Sequence, residues 1–196
     1  MILPMLARGG REQALGLLRD APRESARAFD VMAETLTEYG RLCLAEGADG
    51  LFYATNVATR ALMSAEECRR WQRPWDLRIL KSVESTPFNL LHVCGAGIHF
   101  DEFADYPVAA LSFAAVPGNP TLAAAHARSG RAIVGGLPAK PEIAGMTEAA
   151  LVARARAATR EMSGRPLLLG PDCSINPDTP APLLHAVGAA LQDGAS

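Results

Sequence analysis

Short uninterrupted apolar runs alternate along this chain with longer stretches of helical spacing. The runs are Leu51-Phe52-Tyr53-Ala54, Phe88 to Cys94, Val108 to Phe113, Ala132-Ile133-Val134-Gly135-Gly136 and Pro166-Leu167-Leu168-Leu169-Gly170. Runs this short, without polar alternation, predict strands buried on both faces. Between them, Arg23 to Glu46 puts Phe29, Met32, Ala33, Leu36, Tyr39, Leu42 and Cys43 on one helical face, and Gly47 stops it. Ser64 followed by Glu67 has the capping-box pattern, and Pro74 reads as the opening residue of a second helical segment. A short helix is expected around His99–Ala104. Longer ones are expected from Pro120 to about Arg128, ended by Gly130, and from about Thr147 to Met162, ended by Gly164. Thr179-Pro180 opens the last, which runs to about Leu191.

Apolar strands alternating with helices imply parallel βα units and an α/β fold. A doubly wound sheet would announce a nucleotide loop, and Gly95-Ala96-Gly97 lacks the third glycine at the needed spacing. A (β/α)8 barrel explains better why chemically capable residues fall just after the strands. The pattern holds about five βα units, whereas a closed barrel needs eight. The expectation is therefore the C-terminal part of a TIM barrel over residues 23–196, preceded by a truncated or irregular segment over 1–22.

The chain has 196 residues, 49% of them apolar, enough for one sizeable core. Its 19 basic and 21 acidic residues leave a net charge of −2, so nothing attracts nucleic acid or an anionic membrane. Arg69, Arg70, Arg73, Arg78, Arg154, Arg156 and Arg160 are scattered along polar helix faces and read as solvated. No apolar stretch approaches the ~20 residues needed to span a bilayer. The first eight residues lack a signal-peptide pattern, so a cytoplasmic location is the default. Four cysteines without secretory features do not read as a disulfide framework.

The chemistry centres on His92-x-Cys94, which closes one apolar run, and on Cys173, just beyond another. Residues two apart in a strand point to one side, so His92 and Cys94 can share a pocket. An imidazole and two thiolates suit zinc and leave a fourth position open. The alternatives are a core histidine with two inert buried thiols, or a redox Cys94–Cys173 pair. Cys43, Cys68, Trp71 and Trp75 read as packing residues, His126 as an ordinary helix residue and His185 as exposed. His99 could reach the site mouth. Asn56, Ser112 and Gly136 are candidates to contact substrate. A turn-forming asparagine and a glycine permitting close backbone approach are the plainer readings of Asn56 and Gly136. Asp172 reads equally as a group orienting a ligand or as an exposed loop acid.

The succession His92-Val93-Cys94-Gly95, Ala110-Leu111-Ser112-Phe113, Gly135-Gly136-Leu137 and Gly170-Pro171-Asp172-Cys173-Ser174-Ile175-Asn176-Pro177-Asp178-Thr179-Pro180 resembles the uroporphyrinogen decarboxylase (URO-D) superfamily. Within it the chain is most similar to the zinc-binding, corrinoid-dependent methyltransferases, from about residue 23 onward. That resemblance implies zinc held by His92, Cys94 and Cys173, with a methylcorrinoid as donor to a thiol. The implied partners are a small-molecule thiol or a tetrapyrrole, and a corrinoid protein. The decarboxylase itself differs: it carries Gly-His-Gly where this chain has Pro171-Asp172-Cys173, and an aspartate where this chain has Ser112. It also relies on an aspartate and arginines near its N-terminus. Porphyrin biosynthesis, as a carboxy-lyase, is the alternative reaction. A third expectation is a catalytically incomplete barrel that self-associates or depends on a missing N-terminal half, since open sheet edges pair readily.

Overall fold

The structure is a computed structural model that describes residues 10–192. It is organised as two compact units whose boundary falls between Leu111 and Ser112. Among the described residues, five strands, Phe52–Thr55, Leu90–Val93, Ala110–Phe113, Ala132–Leu137 and Leu167–Pro171, lie side by side in chain order.

The first unit contains α1 (Gly10–Asp20), α2 (Pro22–Ala45), β1 (Phe52–Thr55), α3 (Ala65–Trp71), α4 (Arg73–Lys81) and β2 (Leu90–Val93). Pro22 sits in the first turn of α2, where its missing N–H costs no hydrogen bond. At the start of α3 the Ser64 hydroxyl accepts the Glu67 N–H at 3.1 Å, while the Glu67 carboxylate accepts the Ser64 N–H at 2.8 Å. The Arg19 guanidinium donates to the same carboxylate at 2.7 Å. These bonds hold Glu67 down at about 2, well below the usual carboxylate range. Pro74 lies in the first turn of α4, as its fixed φ allows.

β1 and β2 are parallel, with Phe52 opposite Leu90 and Ala54 opposite His92. The buried Asn89 sets their register. Its Oδ1 accepts the Leu51 N–H at 2.9 Å and its Nδ2 donates to the Val83 carbonyl at 2.7 Å.

The second unit contains α5 (Leu122–Ser129), β4 (Ala132–Leu137), α6 (Glu148–Met162), β5 (Leu167–Pro171) and α7 (Ala181–Gln192). Thr121 and Thr147 cap α5 and α6 through their hydroxyls. Gly130, at φ +67°, closes α5 in the left-handed conformation that glycine tolerates. β4 and β5 are parallel, with Ile133 opposite Leu167 and Gly136 opposite Gly170. Leu137, Ile143, Leu151, Ala155, Leu183 and Val187 form the core between this sheet segment and α6 and α7. β3 (Ala110–Phe113) carries the boundary between the units.

Three expectations change. Within the segment 1–22, read as truncated or irregular, Gly10–Asp20 is a helix that buries Ala14, Leu15 and Leu18. The helix expected around His99–Ala104 is only a 3-10 turn, Phe100–Glu102. Full burial of every strand holds for β2 and β3 but not for the terminal ones, where Phe52 is 70% and Leu168 43% exposed. A strand with a neighbour on one side only has less to cover it. Residues 1–9 and 193–196 lie outside the described part.

Candidate functional site

In the first unit, β2 delivers the His-x-Cys pair. His92 is buried and Cys94 half-buried, two positions apart at the C-terminal end of the strand. The strand's period of two puts both side chains on one side. The His92 ring stacks on Phe52 of β1, with centroids 6.0 Å apart and planes 26° from parallel. Burial lowers the His92 pKa and so favours the neutral ring. The Cys94 N–H donates to the Thr55 carbonyl at 2.8 Å, which extends the ladder to the cysteine itself. The loop beyond is then pinned by an antiparallel bridge between Thr59 and Ile98. Gly95 is needed there: its φ is +110°, and a Cβ would lie 2.8 Å from the Thr59 methyl.

In the second unit, Cys173 is half-buried two residues past the end of β5. The preceding residue, Asp172, is only 4% exposed. Its Oδ1 accepts the Gly136 N–H at 3.0 Å and its Oδ2 the Ala115 N–H at 3.1 Å. Asp172, just past β5, therefore ties the end of β4 to the segment that follows β3, one residue before the cysteine. It is thus not an exposed loop acid: its carboxylate is taken up by two backbone amides. Desolvation raises its pKa, partly offset by the two N–H donors.

A family model for uroporphyrinogen decarboxylase (URO-D) matches residues 3–193. The chain belongs to this family. No curated protein sequence matches it. Among solved structures, a methyltransferase from Methanosarcina mazei superposes with a TM-score of 0.80 over 94% of this chain, at 22% identity. Only 54% of that methyltransferase has a counterpart here, so the chain spans about half its length. This likeness is one of fold. With five strands among the described residues and helices alternating with them, the chain is α/β and forms part of a (β/α)8 barrel. Among the described residues, no helix is long and apolar enough to cross a membrane.

The remaining candidates have definite places. Asn56, half-buried after β1, lines a cleft beside that strand. Ser112 is buried within β3. Gly136 acts through its backbone, with a φ of +97°, an N–H held by Asp172 and room for no side chain, since a Cβ would lie 2.5 Å from that of Ala158. His99 is committed to the Met63 carbonyl at 2.8 Å and His126 to the Arg131 carbonyl at 2.8 Å. Cys68 is buried in α3, where desolvation pushes its thiol up to about 12, so it is inert packing. Cys43 is half-buried on α2, and His185 is exposed. Trp71 is buried, and Trp75 packs against Phe29 and donates to Asp30.

Sequence reasoning passed over Asp76. It is buried in α4 and accepts the Tyr53 hydroxyl at 2.6 Å and the Tyr106 hydroxyl at 3.1 Å. Desolvation raises it to about 6 despite these donors. A signal was available: Asp76, Ile79 and Leu80 share the apolar face of α4 at helical spacing, so an acid stood where burial was expected.

Proposed function

We propose that this URO-D family chain forms the zinc-binding part of a methyltransferase that moves a methyl group from a methylated corrinoid to a small thiol. His92, Cys94 and Cys173 would be the protein ligands. The observation that carries the reading is the His92–Cys94 pair on one side of the end of β2. Cys173, just past β5 in the second unit, would complete the set. One imidazole and two thiols suit zinc rather than a harder cation. The fold likeness to a methyltransferase points the same way.

Bound there, zinc would supply Lewis acidity that keeps a substrate thiol as its thiolate near neutral pH. The chain's own residues do the rest. Phe52 stacked on His92 covers one face of the imidazole, and the Cys94 N–H anchored on Thr55 fixes the second ligand's backbone. Asp172, clamped to the Gly136 and Ala115 amides, holds the backbone from which Cys173 projects. A methylated corrinoid would supply an electrophilic methyl group, which the substrate thiolate would take up once its proton had left to solvent. A reducing compartment such as the cytoplasm belongs to this reading, because both thiols must stay unoxidised to act as ligands.

Metal analysis of the purified chain under non-chelating conditions tests the site. Transfer of the methyl group from methylcobalamin to 2-mercaptoethanol tests the reaction. Less than about a tenth of an equivalent of zinc would defeat the reading, since one site should hold about one. Release of carbon dioxide from uroporphyrinogen by a zinc-free preparation would replace it with decarboxylation.

A further inference from the structure

The two sides of β1 are chemically different. Phe52 stacks on the His92 ring, whereas the next residue, Tyr53, donates its hydroxyl to Asp76 of α4 at 2.6 Å. Side chains alternate along a strand, so Thr55 shares the Tyr53 side, away from His92. There the Thr55 hydroxyl accepts the side-chain amide of Gln72, which stands at the junction of α3 and α4. The same amide donates to the Asp76 carboxylate, and that carboxylate also accepts the Tyr106 hydroxyl at 3.1 Å. A polar network thus runs from Tyr106 through Asp76 and Gln72 to Thr55, all within the first unit.

Thr55 and Asp76 are 4% and 6% exposed, so the network lies out of water. Packing alone does not call for it. Valine fills the space of threonine, and a buried carboxylate is costly wherever an apolar side chain would serve.

The end of the network is informative. Thr55 is the last residue of β1, and its main-chain carbonyl accepts the Cys94 N–H at 2.8 Å. That bond carries the β1–β2 ladder to the cysteine read above as a zinc ligand. The last residue of a four-residue strand frays unless something holds it. Here Gln72 holds it by the side chain, and Asp76 holds Gln72.

We propose that Thr55 and Gln72 are positioning residues for Cys94: with Asp76 as their buried anchor, they fix the carbonyl that orients this ligand's backbone, and so its thiol, without touching the metal. The inference rests on the zinc reading and extends it to residues that line the opposite side of β1.

Two measurements on the full chain test it. Thr55→Val removes the hydroxyl and keeps the shape. Its Cys94 amide is expected to exchange with solvent at least about tenfold faster. The Leu90 amide, bonded to the Leu51 carbonyl at the other end of the same ladder, should keep its rate. A loss of global stability alone would speed both. Thr55→Ser restores the hydroxyl and should return the Cys94 rate close to that of the parent chain. Gln72→Met, of similar length but without the amide, repeats the test should Thr55→Val fail to fold.

The second measurement is titration of the metal-free chain with cobalt(II), followed by its sulfur-to-cobalt absorption. Thr55→Val should bind about tenfold or more weakly, with a weaker absorption, and Thr55→Ser should match the parent. Unchanged cobalt affinity and absorption in Thr55→Val would overturn the inference and leave the zinc reading standing. Faster exchange at Cys94 and Leu90 alike would also overturn it, by reducing the network to a purely structural role. A parent chain that binds no cobalt would overturn the zinc reading and this inference with it.

Discussion

Asp172 holds Gly136 by its backbone: Oδ1 accepts the glycine N–H at 3.0 Å, while Oδ2 takes the Ala115 N–H at 3.1 Å. One buried carboxylate thus joins the ends of adjacent strands in the second unit, one residue before Cys173. Removing it as Asp172→Ala strands two amide donors in a dry environment. The expected loss is about 2–4 kcal/mol in urea unfolding. Gly136→Ala attacks the same clamp from the other side. Its φ of +97° and the close Ala158 Cβ predict about 1–3 kcal/mol of destabilisation, with the strand end displaced.

Cys94 and Cys173 are both half-buried, so a serine at either position is expected to fold. If they ligate zinc, Cys94→Ser and Cys173→Ser each reduce metal content from about one equivalent to a small fraction of it. Mass spectrometry of metals on the freshly purified proteins checks this. Unchanged occupancy in either variant removes that residue from the ligand set.

Asp76 makes stability depend on pH in an unusual direction. Its folded pKa of about 6 lies above the ordinary 3.8, so between those values the folded chain binds more protons than the unfolded one. This residue's contribution therefore favours folding below about pH 4, and it is lost as pH rises through 6. The swing is of order 3 kcal/mol at most. Asp76→Asn should flatten the fall between pH 4 and 6 in a series of urea midpoints. An unaltered slope would show that the carboxyl does not titrate in this window.

Ser64→Ala removes the hydroxyl that accepts the Glu67 N–H and should cost about 1 kcal/mol. Arg19→Ala, which removes a half-exposed ion-pair partner of Glu67, should cost less than loss of the cap, because solvent screens the pair. Glu67 itself, held at about 2, contributes stability that is present above the usual carboxylate pKa and is lost as pH falls toward 2. Thermal midpoints of the two variants at pH 7 and pH 3 separate the cap from the ion pair.

Much of the fold was legible because it is written locally. The capping box at Ser64, the glycine stop at Gly130 and the proline opening of α4 each lie within one turn of the element they bound. α1 was overlooked: Gly10-Arg11 at its start and its short length weaken the periodic signal, although Leu15 and Leu18 are buried at helical spacing. The His92–Cys94 pair was equally plain, because a spacing of two in an apolar run has one geometric meaning.

By itself, then, the sequence determined the order and type of most elements and which donors share a strand. Short-range hydrogen bonding and side-chain periodicity decide those, and they act between residues near in the chain. The tertiary structure alone decided that Asp76 meets Tyr53 and Tyr106, that Asp172 clamps Gly136 and Ala115, and that Phe52 lies open on a terminal strand. Each of these depends on what stands opposite a residue across the sheet or between elements. Burial, and with it hydrogen-bond demand and pKa, is set by neighbours tens of positions away, which no local pattern encodes.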